Sequence, residues 1–168
     1  MTEQHPFEPF IPEGSTRLIL GSFPGKESTQ SKRENDWFYC AARNQFWKIL
    51  EIVFDRNLSD KKNKQKLFKD NNIAITDILL SCQRRENKNS DENLINKEYN
   101  KKAINEILTT KNIKQILFTG KGVHKEFIEN FEYPKNLDLV VLPSPSPVYR
   151  RLNLQDKAKI YKAYFTKE

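Results

Sequence analysis

The sequence predicts an α/β fold: a three-layer sandwich with a central four-stranded parallel sheet flanked by helices. Two features of the 168-residue chain indicate this fold. Four short apolar runs are separated by stretches with helical spacing of apolar residues, and a glycine or proline directly follows three of the runs. Strands joined through helices require right-handed crossovers, which produce a parallel sheet covered on both faces. We therefore expect residues 1–168 to form one domain.

The first half of the chain is expected to contain an extended arm, one strand and two helices. Residues 1–14 hold three prolines and form the arm, and the apolar run at residues 17–21 forms the strand. The polar stretch at residues 26–36 predicts a loop, and a charged helix is expected over residues 60–70. Apolar residues at helical spacing mark the helix before it: Phe46, Ile49, Leu50, Val53 and Phe54.

The second half is expected to supply the other three strands, at residues 73–80, 113–119 and 137–142. The polar stretch at residues 81–93 predicts a loop. Helices between and after the strands are marked by apolar residues that share one helical face: Ala103, Ile104, Ile107 and Leu108, then Val123, Phe127 and Ile128, then Leu154, Ala158, Tyr161 and Phe165.

The formal net charge of +7 favours a polyanionic partner such as a nucleic acid. The many Lys and Asn residues are equally consistent with an AT-rich genome, so charge alone leaves the partner open. No apolar run approaches the ~20 residues that span a bilayer, and the first residues lack the features of a signal peptide. We expect a cytoplasmic protein without a membrane partner.

The metal-binding residue types are scarce. Cys40 and Cys82 are the only cysteines, so a four-cysteine zinc or iron–sulfur site is excluded within one chain. His5 and His124 have no partners at ligand spacing and are expected to be surface or core residues. We expect no metal and no cofactor.

Four segments directly follow predicted strands: residues 21–25, 81–85, 120–122 and 143–147. Because the carboxyl ends of parallel strands meet at one edge of a sheet, and ligands bind there, these segments are expected to converge on one site.

The first of these segments predicts the floor of a pocket. It consists of Gly21, Ser22, Phe23, Pro24 and Gly25. The glycines allow a ligand to approach the backbone, free amides suit a carbonyl oxygen, and the phenyl ring suits a flat ring. An ordinary strand-to-helix turn with the phenyl ring in the core is the alternative. The glycine spacing matches neither common nucleotide-binding fingerprint.

Asn44 lies two residues before the apolar periodicity of the first helix, so a helix cap is the structural interpretation. A carboxamide also offers both a donor and an acceptor, which suits the edge of a nucleobase. Trp37, Phe38 and Tyr39 lie just upstream and add aromatic surface for stacking.

The segment after the last strand is Pro143-Ser144-Pro145-Ser146-Pro147. Its prolines predict a rigid turn, while the serine hydroxyls and backbone amides are suited to phosphate groups. Arg150 follows closely and adds charge. A proline-rich linker is the alternative, but a strand before the segment and a helix after it argue against a linker.

Three further residues are secondary candidates for this edge of the sheet. Asp77 lies inside the second predicted strand and is either a buried base or, as we favour, a structural carboxylate bonded to loop amides. Ser81 and Arg84 follow in the polar stretch.

Taken in order, these segments resemble the uracil-DNA glycosylase superfamily, most closely its hypoxanthine-DNA glycosylase branch. The motifs that carry the resemblance span roughly residues 17–150: Gly21–Pro24, Tyr39 with Asn44–Trp47, Asp77–Arg84 and Leu142–Pro147. The resemblance implies a parallel sheet between helices and metal-free cleavage of an N-glycosidic bond. It also implies a pocket for a flipped base, with Phe46 of the second motif among its residues.

Departures from the superfamily pattern bear on mechanism. Many members carry Asp or Asn in the first motif to orient the attacking water, and His in the last; this chain has Phe23 and Leu142 there. In the branch it resembles, the catalytic role falls to the Asn of Asn-x-Phe-Trp, which implies Asn44. Residues 40–43 differ from the Gly-His-Pro-type stretch of that branch, which leaves substrate preference open.

The resemblance thus implies a monofunctional, monomeric DNA glycosylase of base-excision repair that removes uracil or hypoxanthine and leaves an abasic site. The sequence does not rank the two bases. One alternative is a non-catalytic nucleic-acid-binding domain that retains the pocket. Another is a hydrolase or transferase of free nucleosides.

Overall fold

The computed structural model describes residues 1–30 and 32–166. Its strands, in chain order, are β1 (Glu3–Gln4), β2 (Arg17–Gly21), β3 (Ile73–Asp77), β4 (Leu79–Arg84), β5 (Leu94–Tyr99), β6 (Gln115–Phe118) and β7 (Asp138–Val141). Its helices are α1 (Lys26–Gln30), α2 (Phe46–Phe54), α3 (Lys61–Asp70), α4 (Lys101–Thr110), α5 (Lys121–Asn130) and α6 (Leu154–Phe165).

A four-stranded parallel sheet in the order β3-β2-β6-β7 forms the middle layer, which confirms the predicted fold. In β2, Ile19 packs with α2, α3 and α6 on one face. Leu18 and Leu20 pack with α4 and α5 on the other face. All three side chains are fully buried, because a parallel strand between two helical layers has no solvent-facing side.

The aromatic residues before α2 are mostly core residues, which corrects one expectation. Trp37 and Phe38 are 3% and 1% exposed, so neither offers a surface for stacking on a ligand. The indole N–H of Trp47 donates to the Phe38 carbonyl at 2.7 Å, and the ring of Trp47 stacks on Trp37. This packing anchors the backbone of the segment and leaves Tyr39 as the member that reaches the pocket described below.

A second, antiparallel sheet in the order β1-β4-β5 corrects the predictions for residues 73–80 and 81–93. The predicted single strand divides at Ile78, whose N–H donates to the Gly21 carbonyl at 2.8 Å beyond the last β2–β3 pair. The chain then turns away as β4, which pairs with β5. The second half of β4 and most of β5 are too polar to form an apolar run, so the pattern predicted a loop over residues 81–93.

Residues 26–36 are also not entirely a loop, because α1 begins at Lys26. Ser31 of that predicted loop, and residues 167–168 of the predicted domain, lie outside the described residues.

The N-terminal arm covers the edge of both sheets. Its strand β1 adds antiparallel to β4, and Phe10 exchanges two backbone hydrogen bonds with Ile75 at the outer edge of β3. Arg84 fastens the arm: its Nε donates to Glu3 Oε2 at 2.7 Å, and its Nη2 donates to the Pro24 carbonyl at 2.6 Å. The Arg84 side chain is 2% exposed, so this predicted site residue is a structural clamp.

We expect Arg84→Met to lower the free energy of unfolding by about 3 kcal/mol, because removing one partner of a buried ion pair leaves the other uncompensated. Urea unfolding measures the change. The matched control is Arg56→Met, which breaks an exposed ion pair with Asp70 and should cost far less. Equal losses in the two variants would contradict the role of Arg84 as a clamp.

Candidate active site

A pocket of about 380 Å³ opens at the carboxyl edge of the central sheet. Of the four segments expected to converge there, residues 22–25 and 144–147 line it. The others do not: residues 81–85 belong largely to β4, and the β6 side of the pocket is formed by Thr119 and Val123 instead of residues 120–122.

The structure places the predicted site residues in two groups. The following line the pocket: Ser22, Phe23, Pro24, Gly25, Tyr39, Asn44, Asp77, Ser144, Pro145, Ser146 and Pro147. The following do not: Gly21, Phe46, Ser81, Arg84, Pro143 and Arg150. Phe46 is fully buried behind Tyr39, Ser81 donates to Glu98 at 2.9 Å within the antiparallel sheet, and Arg150 is exposed outside the pocket.

Asn44 is both a helix cap and a pocket residue. Its Oδ1 accepts the N–H of Phe46 at 2.9 Å at the start of α2. This bond orients the carboxamide, and within residues 1–30 and 32–166 no protein group accepts from its Nδ2. Asn44 therefore presents hydrogen-bond donors as its open polar group.

Tyr39 closes the inner wall of the pocket. Its backbone adopts a left-handed conformation (φ 58°), which directs the ring inward. The ring stacks on Phe46 with centroids 4.2 Å apart, and the hydroxyl hydrogen-bonds Thr119 Oγ1 at 2.9 Å. Burial, and then the negative charge of Asp77, raise the pKa of Tyr39 well above its ordinary value, so the phenol stays protonated.

Gly21 allows the Tyr39 ring to occupy this position because it has no side chain. A Cβ on Gly21 would lie 2.3 Å from Tyr39 Oη and 2.5 Å from Asp77 Oδ1. The missing side chain lets a hydroxyl and a carboxylate approach the end of β2 together.

Asp77, at the end of β3, is 5% exposed and lines the pocket. Its Oδ2 accepts from Nε2 of His5 at 2.7 Å, so its partner is a ring of the N-terminal arm and not the loop amides that we favoured. Sequence reasoning missed His5 because the two residues are 72 positions apart and share no motif.

The segment Pro143–Pro147 is fastened from beneath by groups that sequence reasoning also missed. Lys157 is 1% exposed, and its Nζ donates to the Ser146 carbonyl at 3.1 Å and to Gln45 Oε1 at 2.8 Å. Burial lowers the pKa of Lys157 from its ordinary value. Tyr161 Oη donates to the Pro143 carbonyl at 2.7 Å. The carbonyls of the segment are thereby held inward.

The two serines of this segment are oriented by the backbone. Ser144 Oγ accepts the N–H of Ser146, and Ser146 Oγ accepts the N–H of Val148. Of the backbone amides that we had expected to be available for phosphate, that of Ser146 is therefore engaged. Because each oxygen already accepts, each hydroxyl hydrogen is left to donate.

Three other residues that line the pocket were not among the predicted site residues. Val148 lines the pocket and is 80% exposed, which is unusual for an apolar side chain. Asp91 also lines it, and desolvation together with the negative charge of Asp77 raises the pKa of Asp91 to about 6. A third carboxylate, Glu27, is exposed and also lines the pocket.

Within the described residues, no group of three or more His, Cys, Asp and Glu side chains is arranged to hold a metal ion. Among the helices of that part of the chain, none has the length and apolar character needed to cross a membrane.

We expect Gly21→Ala to lower the free energy of unfolding by about 1–3 kcal/mol, because the new Cβ must displace the Tyr39 hydroxyl or the Asp77 carboxylate. Gly122→Ala is the matched control. It lies within α5 with no neighbouring atom inside 4 Å and should gain up to about 1 kcal/mol from helix propensity. Urea unfolding distinguishes the two, and a stable Gly21→Ala variant would contradict the close approach.

Comparison with known proteins adds to this geometry. A model of the uracil DNA glycosylase superfamily matches residues 8–165. The chain is 30% identical over 117 residues to a Methanosarcina barkeri (strain Fusaro / DSM 804) protein named hypoxanthine DNA glycosylase, covering 68% of this chain and 70% of that one.

The fold is also similar to a solution NMR structure from Methanosarcina acetivorans, which is described as a candidate uracil DNA glycosylase. The TM-score is 0.70 at 22% identity, and the similarity covers 98% of this chain and 97% of the other. The family model spans nearly all of the described residues and includes every segment that lines the pocket. The chain therefore belongs to the uracil DNA glycosylase superfamily.

Proposed function

We propose that this protein excises a deaminated base, uracil or hypoxanthine, from DNA by hydrolysing its N-glycosidic bond, and so begins base-excision repair. The observation that carries the proposal is the orientation of Asn44, which presents hydrogen-bond donors to a pocket of about 380 Å³. That volume is in the range of small-molecule sites. The enzyme acts as a monomer without a cofactor.

The target base is inaccessible inside a duplex, so it must be swung out into the pocket at an unstacking cost of a few kcal/mol. Phe23 and Tyr39 line the pocket and provide aromatic surface beside the flipped ring. Val148 is the apolar group best placed at the pocket mouth to fill the gap that the base leaves in the stack.

Asn44 supplies both selectivity and catalysis in this proposal. Deamination converts an exocyclic amino group, which is a donor, into a carbonyl, which is an acceptor. A carboxamide held with its donors facing the pocket bonds the carbonyl of uracil or hypoxanthine and leaves the amino group of cytosine or adenine unpaired. As the glycosidic bond breaks, negative charge develops on the base and strengthens the same hydrogen bond.

The segment Pro143–Pro147 binds the DNA phosphates on either side of the flipped nucleotide. The hydroxyls of Ser144 and Ser146 donate to phosphate oxygens, and the buried cation of Lys157 holds the segment in place from below. The net charge of +7 favours DNA engagement that weakens steeply with salt.

The substitution Asn44→Asp tests the proposal. An aspartate retains the acceptor that caps α2 but loses the donor, so the fold should persist while single-turnover excision falls by about 10²–10³-fold. The assay uses labelled duplexes with one uracil or one hypoxanthine, EDTA present, and alkali to reveal abasic sites. Asn44→Ala is the companion variant and should lose the cap as well, lowering the melting temperature.

Wild-type protein that binds both duplexes but cleaves neither would favour the non-catalytic nucleic-acid-binding alternative. Hydrolysis of free nucleosides that is indifferent to salt would favour the nucleoside enzyme instead.

The substitution Lys157→Met tests the grip on DNA. The variant leaves the Ser146 carbonyl and Gln45 Oε1 without their buried donor, so we expect a loss of about 1–3 kcal/mol in unfolding free energy and severalfold weaker duplex binding. Lys159→Met, an exposed position on the same helix, removes the same charge and should change both far less. Similar losses of duplex affinity in the two variants would mean that Lys157 contributes only its positive charge and does not act by holding the segment Pro143–Pro147.

A further inference from the structure

Hydrolysis of a glycosidic bond requires an acceptor for a proton of the attacking water, and neither Phe23 nor Asn44 provides one. Phe23 has no acceptor in its side chain, and Asn44 is held with its donors open. The residues that line the pocket include three carboxylates: Glu27, Asp77 and Asp91. Glu27 is exposed, and Asp91 lies in the polar segment between β4 and β5, whereas Asp77 is 5% exposed at the end of β3, on the floor of the pocket.

The two oxygens of Asp77 have different surroundings. Oδ2 accepts from His5 at 2.7 Å. Oδ1 lies 2.5 Å from the point that a Cβ on Gly21 would occupy, beside the hydroxyl of Tyr39. Across residues 1–30 and 32–166, no protein group donates a hydrogen bond to Oδ1. Tyr39 itself bonds Thr119. One oxygen of the carboxylate is thus held by protein, and the other is open to a water in the pocket.

His5 is held in one tautomer and one orientation. The backbone N–H of Phe7 donates to Nδ1 at 3.1 Å, so Nδ1 is unprotonated and Nε2 carries the hydrogen that Asp77 accepts. The ring is enclosed by Phe7, Phe23 and Phe38, with centroids 5.5–6.0 Å away. The backbone N–H of His5 donates to the Leu80 carbonyl at 2.8 Å, and this bond holds the backbone of His5 against β4.

We infer that Asp77 is a catalytic residue that orients and deprotonates the attacking water, and that His5 is the positioning residue that holds Asp77. The inference rests on the proposed function, because it names the group that completes that reaction. The N-terminal arm therefore contributes to the site through the residue that directly follows β1, although β1 itself lies in the other sheet.

The water oxygen forms a bond to C1′ of the deoxyribose as the C1′–N bond breaks, and the bonding electrons leave with the base. Donors of Asn44 stabilise the resulting negative charge. One water proton passes to Asp77 Oδ1 and from there to the departing base, so the products are the neutral base and an abasic site.

A purely structural role, in which the pair only fastens the arm, makes different predictions. In Asp77→Asn the amide oxygen still accepts from His5, so the arm stays docked, but the group facing the water no longer accepts its proton. His5→Phe keeps the ring and removes the donor. His5→Gln keeps a donor at a similar reach and serves as the conservative rescue.

The experiment measures single-turnover excision and, separately, the Kd for a duplex in which a 2′-fluoro substituent blocks cleavage. We expect Asp77→Asn to lower the rate by about 10²-fold or more while the Kd stays within about threefold. His5→Phe should lower the rate by about tenfold or more, and His5→Gln should restore most of it. Asp138→Asn, an exposed carboxylate at the opposite end of the sheet, is the control.

Several outcomes would overturn the inference. Asp77→Asn excising at the wild-type rate would exclude Asp77 as the base. A rate loss matched by an equal loss of affinity, or His5→Gln behaving like His5→Phe, would assign the pair to structure alone; the two His5 variants decide this even if Asp77→Asn does not fold. Wild-type protein inactive on both duplexes would instead defeat the proposed function.

Discussion

The close approach of a carboxylate and a phenol above Gly21 is the constraint on which the pocket depends. Strand β2 can end beneath Asp77 and Tyr39 only because it ends in a residue without a Cβ. Tyr39 in turn requires a left-handed backbone, a ring stacked on Phe46 and a hydroxyl bonded to Thr119. The floor of the pocket is therefore assembled from three neighbouring strands and the segment before α2, and a change in any of them reaches the others.

Much of the fold follows from apolar periodicity alone. The runs that became β2, β3 and β6 are buried on both faces, and such runs are conspicuous in a sequence. The antiparallel sheet was missed because β5, Leu94–Tyr99, has three polar residues, Asn96, Lys97 and Glu98, in the middle of its run. Its stability comes from pairing with β4 and β1, which no local pattern records.

The residues of the site can also be separated into those that a local sequence pattern predicts and those that it does not. Asn44 and the segments 22–25 and 144–147 were predictable because each lies where a strand ends or a helix begins. His5 and Lys157 were not, because the contacts of His5 with Asp77 and of Lys157 with Gln45 join residues that are 72 and 112 positions apart. Sequence reasoning identified residues that line the pocket, whereas the residues that hold them in place became visible only with the fold.

The docking of the N-terminal arm also has a consequence for folding order. The arm is synthesised before its partners on β4, which lie about eighty residues later, and its contacts with Asp77 and Arg84 close loops of 72 and 81 residues. Closing such loops is entropically unfavourable until the partner surface exists, so we expect the arm to dock after β3 and β4 have formed. A chain in which these strands are already folded would then still lack His5 beside Asp77, and the pocket would be completed by a segment synthesised before the strands on which it docks.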